Sequence, residues 1–154
     1  MIIDDARHYI KTTDKKYDVI IYDLYHSETP PIHLMTQEAF TEIRAHLTEQ
    51  GILIVNFYGF INGSKGLAAR SLFKTLLAQK FEVNLIATPG EEASRNLLFF
   101  CAKGKLSGTK GLVHTFYPAA NIDFKDALIL TDDKPILEHL YLEAALSWRR
   151  DYNK

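Results

Sequence analysis

Asp23, Tyr25, His26 and Glu28 stand within six residues of one another, in the stretch YDVIIYDLYHSETPP at positions 17–31. Carboxylates, an imidazole and a phenol at this spacing suit proton transfer or the binding of a cation. Val19, Ile20 and Ile21 form a short apolar run, which predicts a strand buried on both faces with Asp23 where it ends. Pro30 and Pro31 close the loop that follows, since proline cannot continue a strand ladder. In open α/β sheets ligands sit just beyond the carboxyl ends of the strands, so a carboxylate there is placed for chemistry. Taken alone, a capping aspartate and a surface turn account for the same residues.

The flanking segments must position that loop. Residues 5–12 read as a short helix, and the strand is expected at about 18–23. Thr36 is placed to cap a helix running to about Glu49, with Ala39, Phe40, Ile43 and Leu47 on one face. Gly51 is expected to end it, and residues 52–57 (ILIVNF) give the next strand. Gly59, Gly63 and Gly66 mark a turn before a helix at about 66–79 that carries Leu67, Ser71, Lys74 and Leu77. Their spacing does not fit a phosphate-binding loop. Residues 81–88 and 96–102 are rich in strand formers, with PGEE between them, and predict an antiparallel hairpin. Residues 103–126 read as irregular and 126–131 as extended, and Pro135 opens a C-terminal helix to about Arg150. The order is that of an α/β domain, with parallel strands joined by helices and an antiparallel pair at the end.

Composition narrows the function classes. A chain of 154 residues suits a single domain spanning 1–154. A net charge of −1 provides no basic field for nucleic acid or an anionic membrane. No apolar stretch approaches the roughly 20 residues that span a bilayer, and the first residues, MIIDD, lack the basic and apolar regions of a signal peptide. The single Cys101 lies in an apolar run and reads as a buried, unreactive thiol. Together these imply a reducing, cytoplasmic setting. Asp132, Asp133 and His139 invite a metal reading, but an acidic pair before Pro135 is more simply a helix start. No metal is expected.

Three segments in order resemble the spermidine synthase (polyamine aminopropyltransferase) family. DDARHYI at positions 4–10 is similar to the family's Gly-Asp-Gly/Ala-Arg-x-Phe/Tyr-Leu. Asp23 falls on the first aspartate of the family's Asp-x-x-Asp loop, which is followed by proline-rich residues as here. TDDKPILE at positions 131–138 resembles a C-terminal motif of the fused bacterial members. The resemblance implies the C-terminal half of a class I methyltransferase-like domain. That is a partial doubly wound, Rossmann-like sheet with its N-terminal strands missing. Two departures stand out. His26 occupies the position of the second loop aspartate, with Glu28 two residues on, and the sequence holds no Gly-x-Gly loop.

The resemblance implies an aminopropyl transfer from decarboxylated S-adenosylmethionine, as co-substrate, to a polyamine such as putrescine. Asp23 would orient and deprotonate the attacking amine. Asp5 and the Ala6 backbone would hold the adenine, and Tyr25, His26 and Glu28 would line the amine pocket. Without the glycine loop, residues 1–154 read as half of a nucleoside site, and the isolated chain is expected to be inactive. The unpaired edge of 17–22 predicts a homo-oligomer, most simply a dimer. Two other readings stand beside this one: a non-catalytic binding or assembly module, and a small-molecule methyltransferase dependent on S-adenosylmethionine.

Overall fold

The computed structural model describes residues 4–24, 30–106 and 115–152. Asp5 opens the first helix, α1 (Ala6–Thr12), as its N-cap, accepting the backbone N–H groups of Arg7 and His8. An extended passage leads to β1 (Tyr17–Tyr22). Beyond Pro31, Thr36 caps α2 (Gln37–His46) by accepting the Ala39 N–H at 3.3 Å. The remaining elements are β2 (Leu47–Tyr58), α3 (Leu67–Ala78), β3 (Glu82–Ala87), β4 (Asn96–Ala102), β5 (Thr115–Tyr117) and α4 (Leu137–Tyr152).

The sheet order is β1-β2-β4-β3-β5. β1 and β2 run parallel across the α2 crossover, while β4 lies antiparallel between β2 and β3. The expected open α/β sheet is therefore present, with a parallel start and an antiparallel end. Three local expectations are corrected. α2 stops at His46 rather than about Glu49, and β2 begins at once with Leu47 instead of at position 52. Gly51 thus ends no helix. It lies where the β1–β2 register shifts, and a Cβ there would meet the Tyr17 carbonyl oxygen at 2.8 Å and the Thr48 nitrogen at 3.0 Å. Its role is close backbone approach. Within 103–126, read as irregular, β5 adds a fifth strand beside β3. A three-residue strand has too little sequence for its period to show.

Alternation along the strands sorts the sheet into two faces. Leu53, Val55 and Phe57 of β2 stand opposite Cys101, Phe99 and Leu97 of β4, which in turn oppose Val83, Leu85 and Ala87 of β3. These pack in one cluster with Phe40 and Ile43 of α2, Leu72, Phe73 and Leu76 of α3, and Tyr141 and Ala144 of α4. Phe73 and Phe99 meet edge to face at 5.7 Å, and both are fully buried. Each such ring removed from water contributes roughly 2–3 kcal/mol. Ile52, Ile54, Leu98 and Phe100 point to the opposite face and are only partly buried.

β1 departs from expectation on that opposite face. A strand buried on both faces was predicted, yet Val19 is 49% and Ile21 60% exposed, while Tyr22 on the core side is buried. Among the described residues β1 has a strand neighbour on one side only, and the apolar core fills one face alone. Residues 127–130 belong to no strand. The buried Ser71 and Thr75 hydroxyls of α3 instead accept the Leu128 and Leu130 N–H groups at 3.1 and 3.0 Å.

Candidate active site

Asp23 follows β1 directly and is exposed. The register that pairs Ile21 with Ile54 and Tyr22 with Val55, carried one residue further, sets Asp23 beside Asn56. The Asn56 side-chain amide donates to Asp23 Oδ1 at 2.8 Å. One carboxylate oxygen is thereby fixed, and the second is left to meet a proton donor. Two residues on, Tyr58 lies on the same face of β2, its hydroxyl donating to the Ala93 carbonyl at 2.6 Å and its ring 4.9 Å from that of Trp148 in α4. Asn56, Tyr58 and Trp148 carry no motif, and sequence reasoning missed them. The signal for Asn56 was its polarity within an apolar strand, at the position level with Asp23.

Asp5 stands at the start of α1. Its Oδ1 accepts the Arg7 and His8 N–H groups at 3.0 and 2.9 Å, and its Oδ2 lies 3.4 Å from His33 Nε2. The His8 backbone hydrogen bond, with His33 adding to it, holds the carboxyl below the usual range. Asp5 is thus the N-cap of α1, and capping uses its Oδ1 alone. Ala6 follows, lining a groove of about 600 Å³ between α1 and β1 together with Tyr9, Val19, Ile21 and Leu24. Tyr25, His26 and Glu28, the expected amine-pocket residues, lie outside the described residues.

Arg7 ties these two regions together. Its Nε and Nη2 donate to the Glu42 carboxylate at 3.0 and 3.1 Å, Nη1 and Nη2 to the Asp132 carboxylate at 2.7 Å each, and Nη1 to the His33 carbonyl at 2.8 Å. All five guanidinium donors are satisfied, which a lysine could not reproduce. Asp132 also accepts the Thr36 hydroxyl at 2.6 Å, while its own N–H is taken by Glu38. The expected helix-start role of Asp132 is therefore wrong. α4 begins five residues later, and the carboxylate closes a fork–fork pair with an arginine 125 positions away in sequence. Arg7 and Thr36 together hold the Asp132 carboxyl below its ordinary range.

Two remaining candidates are structural. Cys101 is fully buried, and loss of water pushes its thiol well above the ordinary value. The turn between β2 and α3 is held by Arg70, whose guanidinium donates to the Ile61 and Gly63 carbonyls at 2.8 Å each and pairs with Asp126 at 2.6 Å. Among the described residues no group of three or more His, Cys, Asp or Glu side chains is arranged to hold a metal. Nor is any described helix long and apolar enough to cross a membrane.

An open sheet of this order is a methyltransferase-like fold. The fold is shared with a solved chain titled a probable spermidine synthase from Corynebacterium glutamicum. That match has a TM-score of 0.65 at 16% identity and covers 85% of this chain and 53% of the other. It is shared as well with human methyltransferase-like protein 13, solved in complex with SAH (TM-score 0.51, 22% identity, 99% of this chain and 59% of that one). Residues 1–101 match the spermine/spermidine synthase domain, and the chain belongs to that family. A curated relative, named a probable polyamine aminopropyl transferase of Bifidobacterium longum, is 33% identical over 72 residues, 47% of this chain and 16% of the relative. The chain thus spans about half of the solved neighbour and a sixth of that relative.

Proposed function

We propose that this domain serves aminopropyl transfer, with Asp23 as the group that receives the proton of the attacking amine. The observation that carries the reading is the Asn56-held Asp23 carboxylate at the carboxyl end of β1, in a domain of the spermine/spermidine synthase family. The co-substrate, decarboxylated S-adenosylmethionine, supplies a methylene carbon activated by its sulfonium. An amine is nucleophilic only when neutral, so a carboxylate within hydrogen-bond reach both orients it and accepts its proton. The amine nitrogen bonds to that carbon, the carbon–sulfur bond breaks, methylthioadenosine leaves with the electron pair, and the proton passes to Asp23 Oδ2. Asp5 Oδ2 is the oxygen left over from capping that would accept the adenine amino group, with the Ala6 N–H beside it. His33 Nε2, 3.4 Å away, competes for that oxygen.

This chain supplies only part of the nucleoside site, since it has no Gly-x-Gly loop. The isolated chain is therefore proposed to be inactive and to bind methylthioadenosine weakly. Tyr25, His26 and Glu28 remain the proposed lining of the amine pocket. A cytoplasmic setting suits the single buried thiol, and self-association through β1 is part of the same reading.

Calorimetry tests it. Putrescine should bind the 154-residue chain with a dissociation constant in the millimolar range, about −4 kcal/mol, and Asp23→Asn should abolish the heat. Methylthioadenosine bound at micromolar strength would overturn the half-site reading. Putrescine binding unaffected by Asp23→Asn would remove Asp23 from the mechanism.

A further inference from the structure

Resting on the reading of Asp5 as the partner of the adenine amino group, we infer that Asp132 is a positioning residue for the nucleoside half-site and acts through Arg7. Positions 131–138 (TDDKPILE) lie beyond residue 101, where the family match ends, and have no part in the chemistry above. Asp5 and Ala6 open α1, a helix of only seven residues. A helix that short is not stable by itself, so its place depends on what its side chains hold. Ile10 is buried in the core, and Arg7 supplies the polar anchor. Its guanidinium makes two bonds of 2.7 Å to Asp132, reaches Glu42 on α2, and donates to the His33 carbonyl.

Asp132 is itself held firmly. Its Oδ1 accepts the Thr36 hydroxyl at 2.6 Å, its N–H donates to Glu38 at 3.0 Å, and the Leu130 carbonyl just before it accepts the Gln37 N–H at 2.8 Å. Glu42, by contrast, is shared with Lys11 at 3.7 Å. Residues 130–132 thus clamp the start of α2, and through Arg7 they set α1 against His33. The His33 ring nitrogen stands 3.4 Å from Asp5 Oδ2, beyond the roughly 2.7–3.2 Å of a good hydrogen bond. An adenine amino group can take that oxygen while the ring is held off. With Arg7 released from Asp132, α1 and the His33 backbone are free to shift, and the ring closes on the oxygen.

The test titrates the 154-residue chain with methylthioadenosine and with methylthioinosine, which carries an oxygen in place of the adenine amino group. Binding is followed by NMR through the Ala6 amide and the His33 ring. Wild type should bind both weakly and favour methylthioadenosine roughly 3- to 10-fold, the worth of one hydrogen bond. Asp132→Ala should bind the two nucleosides alike, and Asp132→Glu, which keeps the charge, should restore part of the preference. Asp132→Asn, with the same shape and no charge, should lose the preference in part and serves if the alanine variant does not fold. Glu92→Ala is the control. It removes the carboxylate of another buried arginine, Arg95, on the β3–β4 side, and should leave the preference intact. Circular dichroism confirms that each variant is folded. A preference unchanged in the Asp132 variants that fold, or lost equally in Glu92→Ala, overturns the inference and spares the Asp5 reading. No preference in wild type, or no binding at all, defeats the Asp5 reading and this inference with it.

Discussion

Arg7 shows how one residue sets the geometry of two regions. Its side chain is 10% exposed, and its charge is offset by Glu42 and by Asp132, the latter 42% exposed. Removing one partner leaves a buried guanidinium with a single carboxylate and unmet donors, which costs several kcal/mol in a closed interior and less where the partner is reached by water. Asp132→Asn should therefore lower stability by about 1–2 kcal/mol at neutral pH, read as a shift in the urea midpoint. The pH dependence has a definite sign. The Asp132 carboxyl is held below its ordinary value in the folded chain, so its contribution is complete above the unfolded value and is lost as pH falls through the folded one. The gap between wild type and Asp132→Asn should thus be full at neutral pH and close as the pH drops below about 4. A gap that persists in acid would show that the asparagine disturbs packing and not charge. Asp23→Asn, at an exposed position, should leave the midpoint in place. In a protein that also carries the glycine loop, it should cut turnover roughly 100-fold or more.

At the scale of elements, two polar positions in a buried helix do the work of a strand. Ser71 and Thr75 are fully buried on α3 and satisfy the N–H groups of 128 and 130, while Lys74 donates to the Ala127 carbonyl at 2.7 Å. Thr75→Val keeps the shape and leaves the Leu130 N–H without an acceptor. A loss of about 1–3 kcal/mol is expected, and an unchanged urea midpoint would count against it. Gly51→Ala should cost a similar amount, about 1–3 kcal/mol, because the three nearest contacts of the added Cβ are all backbone atoms at 2.8–3.1 Å. These cases also show what the sequence could convey. The helices around Phe40 and Phe73 and the strands around Val55 and Phe99 were legible because a period of 3.6 or 2 repeats within each. The carboxyl end of β1 was legible because Asp23 sits between an apolar run and prolines. The Arg7–Asp132 pair, the docking of 127–130 on α3, and Trp148 over Tyr58 were not. They join residues 50 to 125 positions apart, and no local pattern records such a partner.

For the whole molecule, the open side of β1 is the feature on which the proposed self-association rests. Within the described residues β1 is hydrogen-bonded to β2 alone, so its other edge presents free N–H and C=O groups. That edge is flanked by Val19 and Ile21, 49% and 60% exposed, and by the 600 Å³ groove along α1. Natural edge strands are protected by proline, lysine or an inward charge, and positions 17–22 contain none of the first two. Asp18 is the one charge in the strand, and its carboxylate is taken by the Thr48 hydroxyl at 2.8 Å. An unprotected edge beside apolar side chains gains by pairing with a second copy about a two-fold axis, since each copy offers the other the same groups. Light scattering of the 154-residue chain at low micromolar concentration should accordingly give a dimer. Ile21→Lys places a charge on the exposed apolar side without touching the core, and should shift the mass to that of a monomer while the helical signal is retained. A wild-type monomer whose β1 amides resist hydrogen exchange would mean that another part of the same chain covers the edge.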